Sequence, residues 1–391
     1  MQSVNFVSKT NSWEQDTAKN LFIPYRVKNS NNMNLVSYSV TNKDGFVNQN
    51  EYFDDGGKAV FADKKNSLIV SRNTFAYNPS RINVGSLALY KHSEMGLVSP
   101  IYEVFQINSN NNPDFFLLWF RSEAFKNIVS TNSNKSVRDT LNLSQFESES
   151  VNFPNFAEQL KISSLFTYLD SLITLHQRKL SSLKNLKNRL LDRMFCDEKS
   201  QFPSIRFTEF TNAWEQEKLG ECSKFYNGLT SVSKSDFGVG KDLYIDYLNV
   251  FNNTFSQFSE LKKFKNSSRQ NYVQFKDVIL TISSETPDEV AMSSVINWKN
   301  DYKNVAFNSF CILVRFNQLE KYDVNYIGYF FRSNSFRTQA MLMAQGISRF
   351  NINQTALKKT LFLFPPNIYE QQKIGNVLYY LDSLITLHQR G

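Results

Sequence analysis

Tyr168–Arg178 and Tyr380–Arg390 are the same eleven residues, YLDSLITLHQR, 380 − 168 = 212 positions apart. The likeness continues upstream, where Pro154, Asn155, Glu158, Gln159, Lys161 and Ile162 recur at the same offset as Pro366, Asn367, Glu370, Gln371, Lys373 and Ile374. A chain that repeats itself this way is two copies of one unit, each closed by the same segment, whatever its local propensities. Asn followed three residues later by Glu is a helix-start signature. From it an apolar seam runs Leu165, Leu169, Ile173, His176, Leu180, Leu183, Lys187, Leu190, Met194, with no Gly or Pro before Pro203. The spacing predicts a helix of roughly 40 residues, about 60 Å long. A seam of that length asks for a partner helix, and the second copy is the candidate.

The copies differ in length. The first continues past Arg178 as KLSSLKNLKNRLLDRMF, whereas the second stops at Gly391. Leu180, Leu183 and Leu190 are therefore expected to be partly uncovered, and the chain alone to self-associate. Before each helix lies a block of short β-like runs: Ser67–Val70, Ser86–Tyr90 and Ile101–Ile107 in the first, Val278–Ile282 and Phe310–Val314 in the second. Each block opens on Trp-Glu-Gln (Trp13, Trp214) and later holds an aromatic patch ending in Phe-Arg-Ser (Phe120–Ser122, Phe331–Ser333). Phe202-Pro-Ser-Ile-Arg-Phe207 reads as the junction. The expected divisions are 1–153, 154–201, 202–364 and 365–391.

Catalytic constellations do not emerge. Thirteen glycines never cluster as GxGxxG or GxxxxGK[ST], so no nucleotide or S-adenosylmethionine loop is read. Asn78-Pro79-Ser80-Arg81 lacks the second Pro and the aromatic of an amino-methyltransferase signature, and Pro287-Asp-Glu289 lacks the lysine of a metal nuclease. His176 and His388 share one repeat position and read as seam residues. Cys196, Cys222 and Cys311 have no metal-ligand spacing and read as reduced thiols of a cytoplasmic protein. No apolar run suits a membrane. A formal charge of +8 favours a polyanionic partner, nucleic acid before membrane.

The chemistry that is present suits binding. Arg and Asn hydrogen-bond base edges, and Ser, Thr, Tyr and Lys suit phosphates. The candidates are Arg72, Asn73, Tyr77, Asn78, Ser80 and Arg81, then Lys135 and Arg138, in the first block. Ser283, Ser284, Thr286, Arg349 and Asn351 are their counterparts in the second. For the spacer helices and partner docking the candidates are Glu158, Leu169, Ile173, His176, Leu180, Leu183 and Leu190, with Glu370, Leu381, Ile385 and His388.

Two variable blocks opened by Trp-Glu, each closed by a Pro…Glu-Gln-x-Lys-Ile helix with LDSLITLHQR, resemble the specificity subunit of type I restriction–modification enzymes across essentially the whole chain. The resemblance implies an α+β fold. Two strand-rich target recognition domains would be separated by two long α-helices in an antiparallel, coiled-coil-like spacer with pseudo-twofold repetition. It implies a non-catalytic subunit that binds a bipartite, asymmetric double-stranded DNA target. Its implied partners are two methyltransferase subunits, carrying S-adenosylmethionine, and restriction/translocase subunits, carrying ATP and Mg. A helical adaptor that recruits proteins without reading DNA is the alternative.

Overall fold

The computed structural model describes residues 13–53, 64–132, 141–266, 268–299 and 304–390. It divides into two compact units, residues 1–173 and 174–391.

In the first unit, the Trp-Glu-Gln motif begins a strand, Glu14–Thr17, that pairs antiparallel with Ser150–Phe153, the strand just before the long helix. The motif thus staples the block's beginning to its end. A four-stranded sheet orders Phe22–Pro24, Glu103–Ile107, Thr74–Tyr77 and Leu87–Leu89. A second sheet orders Gly45–Asn48, Val36–Thr41, Gly96–Val98 and Leu68–Val70, with Val36–Thr41 and Gly96–Val98 parallel.

The second unit repeats this plan. Glu215–Lys218 pairs with Leu361–Phe364. One sheet orders Ser223–Asn227, Cys311–Phe316, Val278–Thr281 and Ser293–Val295. Another places Phe237–Ile245 antiparallel to Lys262–Phe264 and parallel to Val305–Phe307. The strands the two units share keep equal pairing senses in equal order, although Leu68–Val70 has no counterpart in the second unit's three-stranded sheet. Four of the five expected strand runs contain an observed strand, and Phe310–Val314 overlaps the longer strand Cys311–Phe316.

Each unit's core is aromatic and is built by a helix pair on the sheet. Asn112 and Asp323 cap the first helices, Pro113–Trp119 and Val324–Phe330, by accepting from Phe115 N and Tyr326 N. The Phe-Arg-Ser turn then leads to Glu123–Asn132 and Asn334–Met343. Ser122 and Ser333 Oγ donate back to the carbonyls of Trp119 and Phe330 at 2.6 and 2.7 Å. Across each turn the rings of Phe120 and Phe125 lie 4.9 Å apart, and those of Phe331 and Phe336 4.6 Å. Buried aromatic pairs of this kind contribute roughly 0.5–1.5 kcal/mol beyond area burial.

The long helix spans Phe156–Arg193, 38 residues and about 57 Å. Its distal counterpart is Ile368–Arg390. In the second unit the two pack antiparallel: His176 meets His388 with ring centroids 5.6 Å apart, and further along Lys187 meets Asp382 at 2.6 Å. The seam read from sequence is half-buried at Leu180, Leu183, Lys187 and Leu190 and enters the core at Met194. Leu180, Leu183 and Leu190 are thus partly uncovered, as expected, with Leu190 packed against the second unit's core. Exposed apolar side chains lie earlier, at Leu165, Leu169, Ile173 and Leu175, and again at Leu186.

Candidate nucleic-acid interface

The Glu-Gln pair of the repeat has a geometric role that spacing alone did not reveal. Gln159 is buried; its Oε1 accepts from Asn112 N at 2.8 Å and its Nε2 donates to Asn111 Oδ1 and Pro154 O. Gln371 repeats this, accepting from Asp323 N at 2.9 Å and donating to Lys321 O and Pro365 O. Each glutamine fastens the start of a long helix to the cap of the aromatic helix beside it, so the repeat fixes each block on its own helix. A signal for this existed: a Gln, not a cap residue, recurs one place after the Glu.

The expected capping boxes form only in part. Asn155 Oδ1 accepts from Glu158 N, as a cap should. Glu370, however, is buried and takes Arg206 Nε at 2.7 Å, Arg206 Nη2 at 2.9 Å and Trp214 Nε1 at 3.2 Å. The hydrogen bonds that Arg206 donates to Glu370 raise the Arg206 pKa further. Glu370 is thus corrected from a docking residue to a lock between the junction and the distal helix. Leu381 and Ile385 are likewise buried inside the second unit, and His388 is half-buried there. Glu158 is half-buried, and His176 is exposed.

In the first unit the candidates separate. Arg72 and Asn73 form the exposed turn before the strand Thr74–Tyr77, with Asn73 at φ 70°. Ser80 and Arg81 are exposed on the turn after that strand. The strand thus sends the two arginines out from opposite ends, and they do not form one cluster. Asn78 caps the second turn by accepting from Ser80 N at 3.0 Å. Tyr77 lies in the core, 1% exposed, where burial drives its phenol far above the usual range; it is corrected from the contact set. Lys135 and Arg138 lie outside the described residues. The Asn83–Gly85 turn walls a cleft of about 560 Å³ that also holds Arg121 and Lys126, two cations the sequence reading passed over.

In the second unit the structure joins what the sequence kept apart. Ser283–Ser284 pairs antiparallel with Phe350–Asn351, so the two candidate loops share a small sheet. Their tips stay exposed: Thr286 on one, and Ile347, Ser348 and Arg349 on the other. Gln345 and Asn351 exchange backbone hydrogen bonds of 2.9 and 2.8 Å that close the Gly346–Phe350 loop. Gly346, at φ 143°, is needed there, because a Cβ would strike the Arg349 carbonyl. Ser283 and Ser284 are themselves buried, and Ser284 Oγ lies 2.9 Å from Glu289 Oε2. They are corrected from contact residues to the base on which Thr286, Arg349 and Asn351 stand.

The Phe-Arg-Ser arginines have parted company. Arg332 is enclosed and donates to the carbonyls of Ser293, Val250, Phe251 and Asn253, and burial lowers its pKa to about 10. Arg121, at the same repeat position, is exposed. Among the described residues no cluster of His, Cys, Asp and Glu suits a metal, and no helix is long and apolar enough to cross a membrane.

Comparison with known proteins matches this frame. No curated protein matches the chain. Three solved structures share the fold. The HsdS subunit from Thermoanaerobacter tengcongensis has TM-score 0.52 and 13% identity, over 97% of this chain and 91% of that one. The type I restriction–modification S subunit from M. genitalium has TM-score 0.52 and 11% identity, over 98% and 93%. A chain from a study of complex assembly and conformational transition of the type I R-M system has TM-score 0.53 and 13% identity, over 97% and 93%. The model of the type I restriction modification DNA specificity domain matches twice, at residues 14–185 and 212–391, one match per copy of the repeat. The chain therefore belongs to the type I restriction–modification DNA specificity family, as a DNA sequence-recognition subunit with two specificity domains.

Proposed function

We propose that each unit reads one half of a split, asymmetric duplex target, and that the long helices set the separation of the halves. The observation that carries this reading is a common topology bearing different exposed chemistry. Arg72 and Arg81 flank a strand in the first unit, whereas Thr286, Arg349 and Asn351 stand on a small sheet in the second. Unequal readers on equal frames suit a target whose halves differ.

The chain contributes recognition and no chemistry of its own. Two methyltransferase subunits supply S-adenosylmethionine and the methyl transfer, and restriction/translocase subunits supply ATP- and Mg-dependent action. The exposed residues Leu169 and Ile173 on the central helix suit contact with such subunits. The adaptor reading, in which the helices recruit proteins and nothing reads DNA, is not favoured by a match to a DNA specificity family in both halves.

Methylome sequencing of cells expressing the chain with its methyltransferase subunit tests the reading. A bipartite, non-palindromic motif is expected. Exchange of residues 1–153 for another block then alters one half-site only; alteration of both halves defeats the modular assignment.

A further inference from the structure

The two units carry topologically equivalent three-strand ribbons that differ in how many lysines they hold. In the first, Gly45–Asn48 pairs with Val36–Thr41, which runs parallel to Gly96–Val98. Residues 36–48 contain one cation, Lys43, and one anion, Asp44. In the second, Lys262–Phe264 pairs with Phe237–Ile245, which runs parallel to Val305–Phe307. Here Lys234, Lys241, Lys262, Lys263 and Lys265 are all exposed, against Asp236, Asp242, Asp246 and Glu260, and three of the five cations fall on or beside the single short strand Lys262–Phe264. Among the described residues none of these five lysines forms a salt bridge. The nearby carboxylates Asp236 and Glu260 accept hydrogen bonds from Ser233 and Asn253, and Lys265 acts on Asp236 only through space, without an ion-pair contact.

Backbone geometry concentrates this charge. Both Phe237 and Asp242 register against Phe264, so Gly238–Lys241 bulges out of the strand. Gly238 and Gly240 have φ of 82° and 89°, and Gly240 lies so close to Phe264–Lys265 that a Cβ would clash with that backbone. The bulge therefore brings Gly240, the residue before Lys241, against the Phe264–Lys265 backbone and leaves Phe237 and Val239 exposed at its edge. Lys262–Phe264 is the outer strand of its sheet, open along one side. Exposed cations spaced along one open edge attract an external polyanion.

We propose that this edge of the second unit, Lys262, Lys263 and Lys265 with Lys241 on the bulge, is a phosphate-contacting rail for duplex DNA. It rests on the DNA-recognition reading and adds to it a division of labour. The rail supplies affinity that is blind to sequence, and the Thr286–Arg349–Asn351 group supplies selection. Lysines on an open edge also guard against strand-to-strand aggregation, which is the rival role.

The test measures duplex affinity against NaCl concentration for the chain purified with its methyltransferase subunit, using the motif found by methylome sequencing. Lys262→Gln, Lys263→Gln and Lys265→Gln should each flatten the slope of log K against log salt by about 0.9, and the triple variant by about 2–3. The methylated motif should stay the same, and Lys43→Gln in the neutral ribbon should leave the slope unchanged. Unaltered slopes in all three single variants overturn the rail, as does a changed motif. So does aggregation of the triple variant accompanied by full affinity in the single variants. A wild-type complex that binds no duplex sinks the parent reading instead, a result separate from any of these.

Discussion

Lys187 Nζ lies 2.6 Å from Asp382 Oδ1, across the antiparallel pair formed by the central and distal helices. Asp382 Oδ2 accepts from Tyr329 OH at 2.8 Å, so one carboxylate ties two long helices to the aromatic helix of the second unit. The 11-mer supplies Asp382, and the segment that follows its other copy supplies Lys187. The two halves of the repeat therefore complement each other within one unit.

That arrangement predicts unequal costs for identical changes. Leu381 and Ile385 are each 8% exposed, while their counterparts Leu169 and Ile173 are 41% and 54% exposed. Leu381→Ala should destabilise the chain by about 2–4 kcal/mol, as buried large-to-small changes do. Leu169→Ala should cost less than about 1 kcal/mol, as surface changes do. Chemical denaturation of the two variants checks this, and equal losses would show that the copies are equally covered.

The Glu370 lock gives a second contrast. Glu370→Ala strands Arg206, whose side chain is 12% exposed, and leaves the Trp214 indole without its acceptor. Removal of one partner from such a pair costs about 3–5 kcal/mol. The expected result is an earlier thermal transition together with altered Trp fluorescence. Glu158→Ala, at the same repeat position but only half-buried, should shift the transition much less.

Arg332 and Arg121 make a third pair. Arg332→Ala leaves the carbonyls of Ser293, Val250, Phe251 and Asn253 without their shared donor. Each unsatisfied buried group costs about 1–3 kcal/mol, so soluble yield should fall sharply. Arg121→Ala should fold normally; any effect it has should appear in DNA affinity. Arg349→Ala should also fold normally and weaken duplex binding about tenfold or more, with relaxed selection in one half-site.

The thiols set an alkaline limit. Burial pushes Cys196 and Cys222 from 9.0 up to about 12, and raises fully enclosed Cys311 as well. A raised folded value means that the unfolded chain ionises first. The contribution of these groups to stability is complete below about pH 9 and is lost as pH climbs toward 12. Denaturation midpoints should hold steady from pH 7 to about 8.5 and fall above it. Thiol reagents at pH 8 should label the folded chain slowly; rapid labelling of all three would contradict the buried placement.

Much of the frame was legible because it rests on local and repeated signals. The Asn caps, the unbroken 156–193 run and the apolar seam are short-range properties, and the repeat supplied the partner helix. The β-like runs were found because β-branched and aromatic residues cluster there. The candidate site was less legible. Ser71–Arg81 reads as one polar stretch, yet a buried strand inside it, Thr74–Tyr77, drives its arginines apart. Ser283–Ser284 and Phe350–Asn351 are distant in sequence and become neighbours only through cross-strand hydrogen bonds. The lysines of 262–265 were visible as letters, but their exposed edge and the bulge beside them depend on sheet pairing.

The sequence by itself determined that the chain is duplicated, that each copy ends in a capped amphipathic helix, and that its recognition chemistry is polar and basic. It could not say which copy of YLDSLITLHQR is covered, since eleven identical residues have identical propensities. Tertiary structure decided that: the distal copy meets His176 and Lys187 and buries Leu381 and Ile385, while the central copy leaves Leu169 and Ile173 in solvent. Burial belongs to the neighbours a side chain meets, and those neighbours are set by packing.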